Sequence, residues 1–409
     1  MNNIEAEELL ILFCSLVVLS YLFSIVGKYM RLPSVLLLLF TGMGIRLATD
    51  YYQVTINIPN RIVESLGVVG LIMIVLEAGL DLRIEKTKLN LIRNSFFSAL
   101  VIFILSVASI SALLNLWLNE ENYVNCIVYA IPLSIISSAI VLPSLHTLNK
   151  NQQEFLVYEA SFSDIIGILV FNYFVVGEIL TWQSFAIFGG GIIVSVILSL
   201  FLSLVLFLIL ARVKLNIKFF LIFSLLILLY AGGKLLHLPS LLIIMIFGLL
   251  INNWDKITWE RLIRHFPLEQ IRPLNELMHS ITAESSFLIR TFFFILFGYS
   301  IDLHLLQQEE VLVIGSVIVV CLLFIRFLYL RFFVKTNVFP ELFFMPRGLI
   351  TIVLFYKIPQ AMKLHDFNDG ILFFVILTTS IIMMLGMLFY KKKPEDIVEE
   401  RQFVESDVF

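Results

Sequence analysis

Residues 155–174 read FLVYEASFSDIIGILVFNYF. A helix of about twenty such residues, rising about 1.5 Å per residue, is long enough to cross the hydrocarbon core of a bilayer. Two acids interrupt the run. Glu159 and Asp164 fall about 6 Å and about 13 Å along it, so Asp164 lies near the middle. A bare carboxylate at that depth costs on the order of several kcal/mol unless it is protonated, paired or holding a cation. Asp164 is therefore either a permanently neutralised structural acid or an ion-binding group. Glu159 and Ser163 are four residues apart and share a helix face, whereas Asp164 is turned from Glu159 by roughly 140°. The two acids are expected to do different jobs.

The rest of the chain has the composition such a segment needs. Of 409 residues, 60% are hydrophobic and 14% charged, and the mean hydropathy is +0.98, which points to a bilayer as solvent. The net charge of -3 hides charges clustered between apolar runs, and nothing in it suggests a nucleic-acid partner. Cys14, Cys126 and Cys321 lack CxxC spacing, which argues against a disulfide framework or a zinc site. Residues 1–8 lack the basic start and cleavage site of a signal peptide, so the first apolar run reads as a true span.

Thirteen spans are expected, near 7–26, 33–49, 62–80, 94–118, 124–145, 155–181, 184–211, 216–233, 238–252, 284–301, 311–334, 339–359 and 370–390. Most of the 28 basic residues, including Arg83, Lys86, Lys88, Arg212, Lys214 and Lys391–Lys393, fall on one side of this topology. The positive-inside rule then puts the N-terminus outside and the C-terminus in the cytoplasm, in a multi-pass protein of the cell (inner) membrane. Residues 253–283, with Trp254 and Trp259 among alternating charges, read as an amphipathic helix on the cytoplasmic surface. Residues 391–409 read as a short cytoplasmic tail.

Residues 31–45, RLPSVLLLLFTGMGI, and 237–251, HLPSLLIIMIFGLLI, both keep LPS at a span entry and a glycine ten residues after its leucine. The first enters span 2 from the cytoplasm and the second enters span 9 from outside. LEAGLDL (76–82) closes span 3 and FGYSIDL (297–303) closes span 10 in the same phase. The expected architecture is all-α, with two inverted six-helix repeats over 1–181 and 216–390, joined by linker span 7 within 182–215. Apolar strings align easily, so chance similarity is the competing reading. Secondary transporters built this way place their site at the midplane, between broken helices.

The repeat pairs span 5 with span 12, and both contain breakers. Span 5 holds Pro132 and Pro143 with Ser134, Ser137 and Ser138; span 12 holds Pro346, Arg347 and Gly348 in mid-span. Prolines free carbonyls, and irregular backbone at membrane depth survives where it is buried in protein or lines a cavity. Simple kinks without function are the alternative. Arg326, deep in span 11, requires an acidic partner, and Glu159 is the expected one, leaving Asp164 as the free titrating group. Glu77 either joins the ion path or snorkels, and Asp81 reads as interfacial. Arg290, with Glu284 nearby, reads as a snorkelling residue. The histidines show no ligand spacing.

These residues form a pattern that resembles the monovalent cation:proton antiporter superfamily, closest to its NhaP and mammalian sodium/proton exchanger branch, with some likeness to Kef-type transporters. Glu159-Ala-Ser-Phe-Ser163-Asp164 looks like that branch's GESLLND, with the Glu-to-Asp spacing kept. Pro346-Arg347-Gly348-Leu349 looks like LRGA, LEAGLDL with Glu77 looks like FEAGLEL, and Arg326 falls where the branch has an arginine paired with the glutamate of span 6. The resemblance implies a homodimer, with a fixed interface domain and a mobile core of spans 4–6 and 11–13. Ser163 departs from it, standing where electroneutral members have Asn and electrogenic members a second Asp. Serine does not titrate at physiological pH.

The expected function is secondary active exchange of Na+, or else K+ or Li+, for H+, with no cofactor and no enzymatic chemistry. Asp164 would bind the ion, aided by Ser163, Glu77, Ser137 and Ser138. One proton per cation is the expected ratio. A K+/H+ or electrogenic exchanger, a channel or uniporter, and an ion sensor are the rival readings.

Overall fold

The computed structural model describes residues 6–30, 32–52, 60–82, 88–118, 122–176, parts of 189–205, 219–235, 240–254, 268–302, 304–334 and 338–390. Among them the chain is helical, without strands. Its α-helices are α1 (Ala6–Met30), α2 (Ser34–Tyr51), α3 (Asn60–Asp81), α4 (Leu89–Leu118), α5 (Tyr123–Ser134), α6 (Ser138–Val141), α7 (Lys150–Val176), α8 (Phe219–Leu235), α9 (Ser240–Asn252), α10 (Leu268–Ser300), α11 (Glu309–Tyr329), α12 (Leu349–Tyr356) and α13 (Gly370–Phe389). Six described stretches are long and apolar enough to cross a membrane: Ser34–Tyr51, Leu89–Leu118, the interrupted Tyr123–Leu145, Asn275–Ser300, Glu309–Phe333 and Gly370–Phe389. The chain is a multi-pass membrane protein. Span 7 is described only in parts of 189–205, and Trp259 and the tail after Tyr390 lie outside the described residues.

α11 shows how the bilayer sorts side chains. Val313, Val317, Val320 and Phe324, at helical spacing, are exposed, while Ile314, Ile318, Leu322 and Ile325 are buried. Both faces are apolar because the outer one has lipid for solvent. The expected surface helix over 253–283 is not separate in its described part. From Leu268 the backbone runs unbroken into the span, making α10 33 residues long, and Trp254 is buried rather than interfacial. The charges of residues 268–283 suggested a surface location, but the backbone hydrogen bonding of one helix is indifferent to whether its first turns stand beyond the hydrocarbon.

Packing groups the helices into two sets. α2 lies along α10, and α3 along both α9 and α10; α4 packs on α5, α7 and α11, and α11 on α13, while α12 touches both α3 and α5. Two glycine pairs set the closest crossings in the first set. A Cβ on Gly42 would strike the Ile295 carbonyl and one on Gly298 the Leu39 carbonyl; likewise Gly79 faces the Met245 carbonyl and Gly248 the Leu76 carbonyl. Without side chains there, the α2–α10 and α3–α9 backbones touch, the contact that replaces hydrophobic driving force in lipid.

Spans 5 and 12 are interrupted. Helix α5 stops at Ser134, residues 135–137 are extended, and α6 resumes for four residues before the 3-10 turn Leu142–Thr147. In span 12 only the eight residues of α12 are regular helix, and 344–348 lead into it as non-helical backbone. The two non-helical stretches meet where the Ser137 N–H donates to the Pro346 carbonyl at 2.9 Å. Pro143 lies past the break, at the start of the 3-10 turn, and Pro132 lies inside the last turn of α5.

Candidate functional site

The crossing of the two interrupted spans is covered by α7. Gly167, one turn beyond Asp164, lets the Ile135 side chain press onto α7, and a Cβ on Gly348 would collide with the Ser137 hydroxyl. Helix α7 therefore reaches the freed backbone directly. The Ser163 hydroxyl accepts from the Ile136 N–H at 2.9 Å. Asp164 Oδ2 accepts twice from Ser138, from its N–H at 3.2 Å and its hydroxyl at 2.5 Å. Asp164 is 3% exposed, and its Oδ1 is buried with no hydrogen-bond partner. The Ser137 hydroxyl is in the same condition. Ser134 does not face outward to an ion: its hydroxyl returns to the Ala130 carbonyl.

Glu159 faces elsewhere. The Arg326 guanidinium donates to both its oxygens, at 3.2 and 2.7 Å, and through Nε to the Glu341 carbonyl at 2.9 Å. The Ser98 hydroxyl donates to Glu159 as well. Both ionic side chains are 1% exposed, so the pair is bidentate and fully desolvated. Arg347, equally buried, instead donates to main-chain oxygens of Leu133, Met345 and Ser134. Leu133 and Ser134 are at the C-terminal end of α5, where unsatisfied carbonyls carry partial negative charge. No described carboxylate pairs with Arg347, and its own N–H is taken by Thr379.

An all-helical membrane chain with two interrupted spans crossing beside a buried acid is a specific architecture. Two solved structures of the sodium proton antiporter MjNhaP1 from Methanocaldococcus jannaschii are similar to this chain in fold. One, at pH 8, matches with a TM-score of 0.68 and 20% identity over 92% of this chain and 96% of that one. The other, from electron microscopy, has a TM-score of 0.66 and 20% identity over 95% and 100%. No curated protein matches the chain. The family described as sodium/hydrogen exchanger, transmembrane, matches residues 13–389. The chain belongs to the sodium/hydrogen exchanger family. It is thus a secondary active cation/proton antiporter and not an enzyme, and its cation is cargo rather than a resident cofactor.

In this exchanger the structure gathers Ser137, Ser138, Ser163 and Asp164 at one point, with Pro346, Arg347 and Gly348 behind them, and holds Glu159 with Arg326 apart. Ser163, expected beside Asp164, reaches the break by accepting from the Ile136 N–H. Glu77 is not within hydrogen-bonding distance of Asp164. It sits 3.5 Å from Arg290, which corrects the expected partner of that arginine: Glu284 instead accepts from Tyr21. Asp81 bonds His279. Sequence reasoning missed Ser98, whose signal was available: Ser95 and Ser98 sit one turn apart in an apolar helix, and they meet Phe155 and Glu159, also one turn apart.

Proposed function

We propose that the exchanger swaps one Na+ for one H+ by alternating access, with cation and proton taking turns on Asp164. The observation that carries this reading is the half-satisfied carboxylate: Ser138 holds one oxygen, and the other is buried without a partner. An acid in that state needs a proton or a cation. Oxygen donors suit hard cations, and the hydroxyls of Ser137 and Ser138 with freed carbonyls of the break complete the shell. Ser163 positions the break, and Glu77 lies on the approach. Either ligand neutralises Asp164, and because moving the bare carboxylate past apolar surroundings is too costly, only the loaded site changes sides. Ser163 adds no second titrating group, which supports the one-for-one ratio.

Thirteen crossings with the N-terminus outside, location in the cell membrane and assembly as a homodimer complete the proposal. So do two inverted repeats, residues 1–181 and 216–390, with a linker at 182–215 and a tail at 391–409. The glycine crossings support the repeat: exchanging α2 with α9 and α3 with α10 converts the Gly42–Gly298 contact into the Gly248–Gly79 contact. Gly42 and Gly248 hold equivalent places after their LPS tripeptides.

The test is a panel of Na+, K+ and Li+ in proteoliposomes with a preset pH gradient, with and without voltage clamped by an ionophore. Sodium-driven collapse of the gradient to an end point indifferent to the clamp is expected. Preference for K+, an end point that shifts with voltage, or cation flux without proton counter-flow would replace the proposal by a K+ exchanger, an electrogenic one or a uniporter. A second measurement isolates the crossing. Ser163→Ala leaves the Ile136 N–H unsatisfied, a loss of about 1–3 kcal/mol, and should raise the Na+ concentration for half-maximal exchange about tenfold. An unchanged Na+ dependence would remove Ser163 from the site.

A further inference from the structure

Arg290 has no part in the site as assembled so far, yet its side chain joins two regions. From α10 it donates to Glu77 of α3 at 3.5 Å and, through its other terminal nitrogen, to the Ala139 carbonyl of α6 at 3.4 Å. It is 9% exposed. Ala139 follows Ser138, the residue that grips Asp164.

The sequence explains why that carbonyl is available. In an α-helix the carbonyl of residue 139 accepts from the N–H of residue 143, and residue 143 is proline, which has none. The Leu142 N–H goes to the Ser138 carbonyl. The neighbouring Ile140 carbonyl is met by the Ser144 hydroxyl. Pro143 thus opens an acceptor, and a charged donor from a different helix fills it. Buried carbonyls find donors, and here the donor is a guanidinium whose charge Glu77 balances.

We propose that Arg290 is a positioning residue of the exchange reaction, matched to Pro143: the Glu77–Arg290 pair tethers the first turn of α6, and through Ser138 the Asp164 carboxylate, to helices α3 and α10. The inference rests on the alternating-access reading of Asp164. In that reading the crossing shifts against α3 and α10, so a link between them is made in one access state and broken in the other. A link of this kind biases the two states, and a biased equilibrium divides the intrinsic dissociation constant by the population able to bind. The tether therefore sets the ratio of the apparent KM for Na+ on the two membrane faces more than it sets kcat.

Two variants test this by opposite chemistry. Arg290→Gln removes the charge and the reach. Pro143→Ala leaves Arg290 and Glu77 untouched and returns an N–H to compete for the Ala139 carbonyl. In proteoliposomes of fixed orientation, each variant should change the ratio of KM values for the two faces by about fivefold or more, in the same direction. Arg290→Lys, which keeps the charge but not the two-armed fork, should fall between them and the unmodified chain. Pro143→Ala should be at least as heat-stable as the unmodified chain, so a folding defect cannot imitate the result. If Pro143→Ala leaves the ratio unchanged, or if Arg290→Gln lowers kcat alone, the tether is wrong. Sodium-driven exchange retained in an Asp164→Asn protein would instead overturn the reading it rests on, and the two failures are told apart by that variant.

Discussion

Asp164→Asn is expected to abolish sodium-driven proton movement in proteoliposomes while leaving the protein folded. The amide keeps the shape of the carboxylate and its acceptor oxygen for the Ser138 N–H and hydroxyl, which now hold Oδ2. It can neither release a proton nor carry the negative charge that a cation requires. The neutral amide, although its nitrogen takes the unpartnered place of Oδ1, removes the cost of keeping a charged carboxylate out of water, so the thermal midpoint in detergent should be unchanged or higher. Exchange should fall by about two orders of magnitude or more, the loss of roughly 3 kcal/mol of transition-state stabilisation. Full activity in this variant would sink the assignment of Asp164. A loss of activity with a collapsed midpoint would show instead that Asp164 holds the crossing together.

Glu159→Ala is expected to do the reverse, with damage to the fold first. It takes from the Arg326 guanidinium, 0% exposed, both of its hydrogen bonds to the Glu159 carboxylate and leaves the one to the Glu341 carbonyl. Breaking one side of a buried pair costs about 3–5 kcal/mol, enough to lower a thermal midpoint by roughly 5 °C or more. The double change Glu159→Leu with Arg326→Leu should recover most of that loss, because two apolar residues leave no charge to desolvate. Thermal unfolding of the purified single and double variants measures both effects. A Glu159→Ala protein as stable as the unmodified chain would remove the pair from the fold's support. A double variant no better than either single one would show that the pair does more than cancel its own charges.

These two acids also show how far the sequence could be read. A carboxylate's depth in an apolar run and an arginine's need for a counter-ion are properties of the chain alone, and they led to Asp164 and to the Glu159–Arg326 pair. Prolines and a glycine inside spans led to the two interruptions. Less legible were contacts set by how closely helices approach. Ser163 reaches Ile136 because Gly167 lets the break lie against α7, and no period along one helix records the position of another. Arg290 found Glu77 rather than Glu284 for the same reason: in sequence Glu284 is near, but across the packed α3–α10 contact Glu77 is nearer. The length of α10 was obscured by composition, since charged turns outside a membrane and a separate surface helix look alike until backbone continuity is seen.

Arg347 has a further consequence for the energetics of the cycle. Its guanidinium stays protonated, is balanced by carbonyl dipoles rather than by an acid, and belongs to the crossing that holds Asp164. With Asp164 ionised the two charges cancel, and with a proton or Na+ aboard the crossing carries one positive charge. In the proposed cycle the sodium leg and the proton leg then displace the same charge in opposite directions. A membrane potential does equal and opposite work on them, about 2.3 kcal/mol per 100 mV for a charge crossing the whole field. The potential drops out of the balance point, which the two concentration gradients alone decide. It still favours one resting side for the loaded crossing, so the cell's polarisation acts on the pace of exchange and not on its end point.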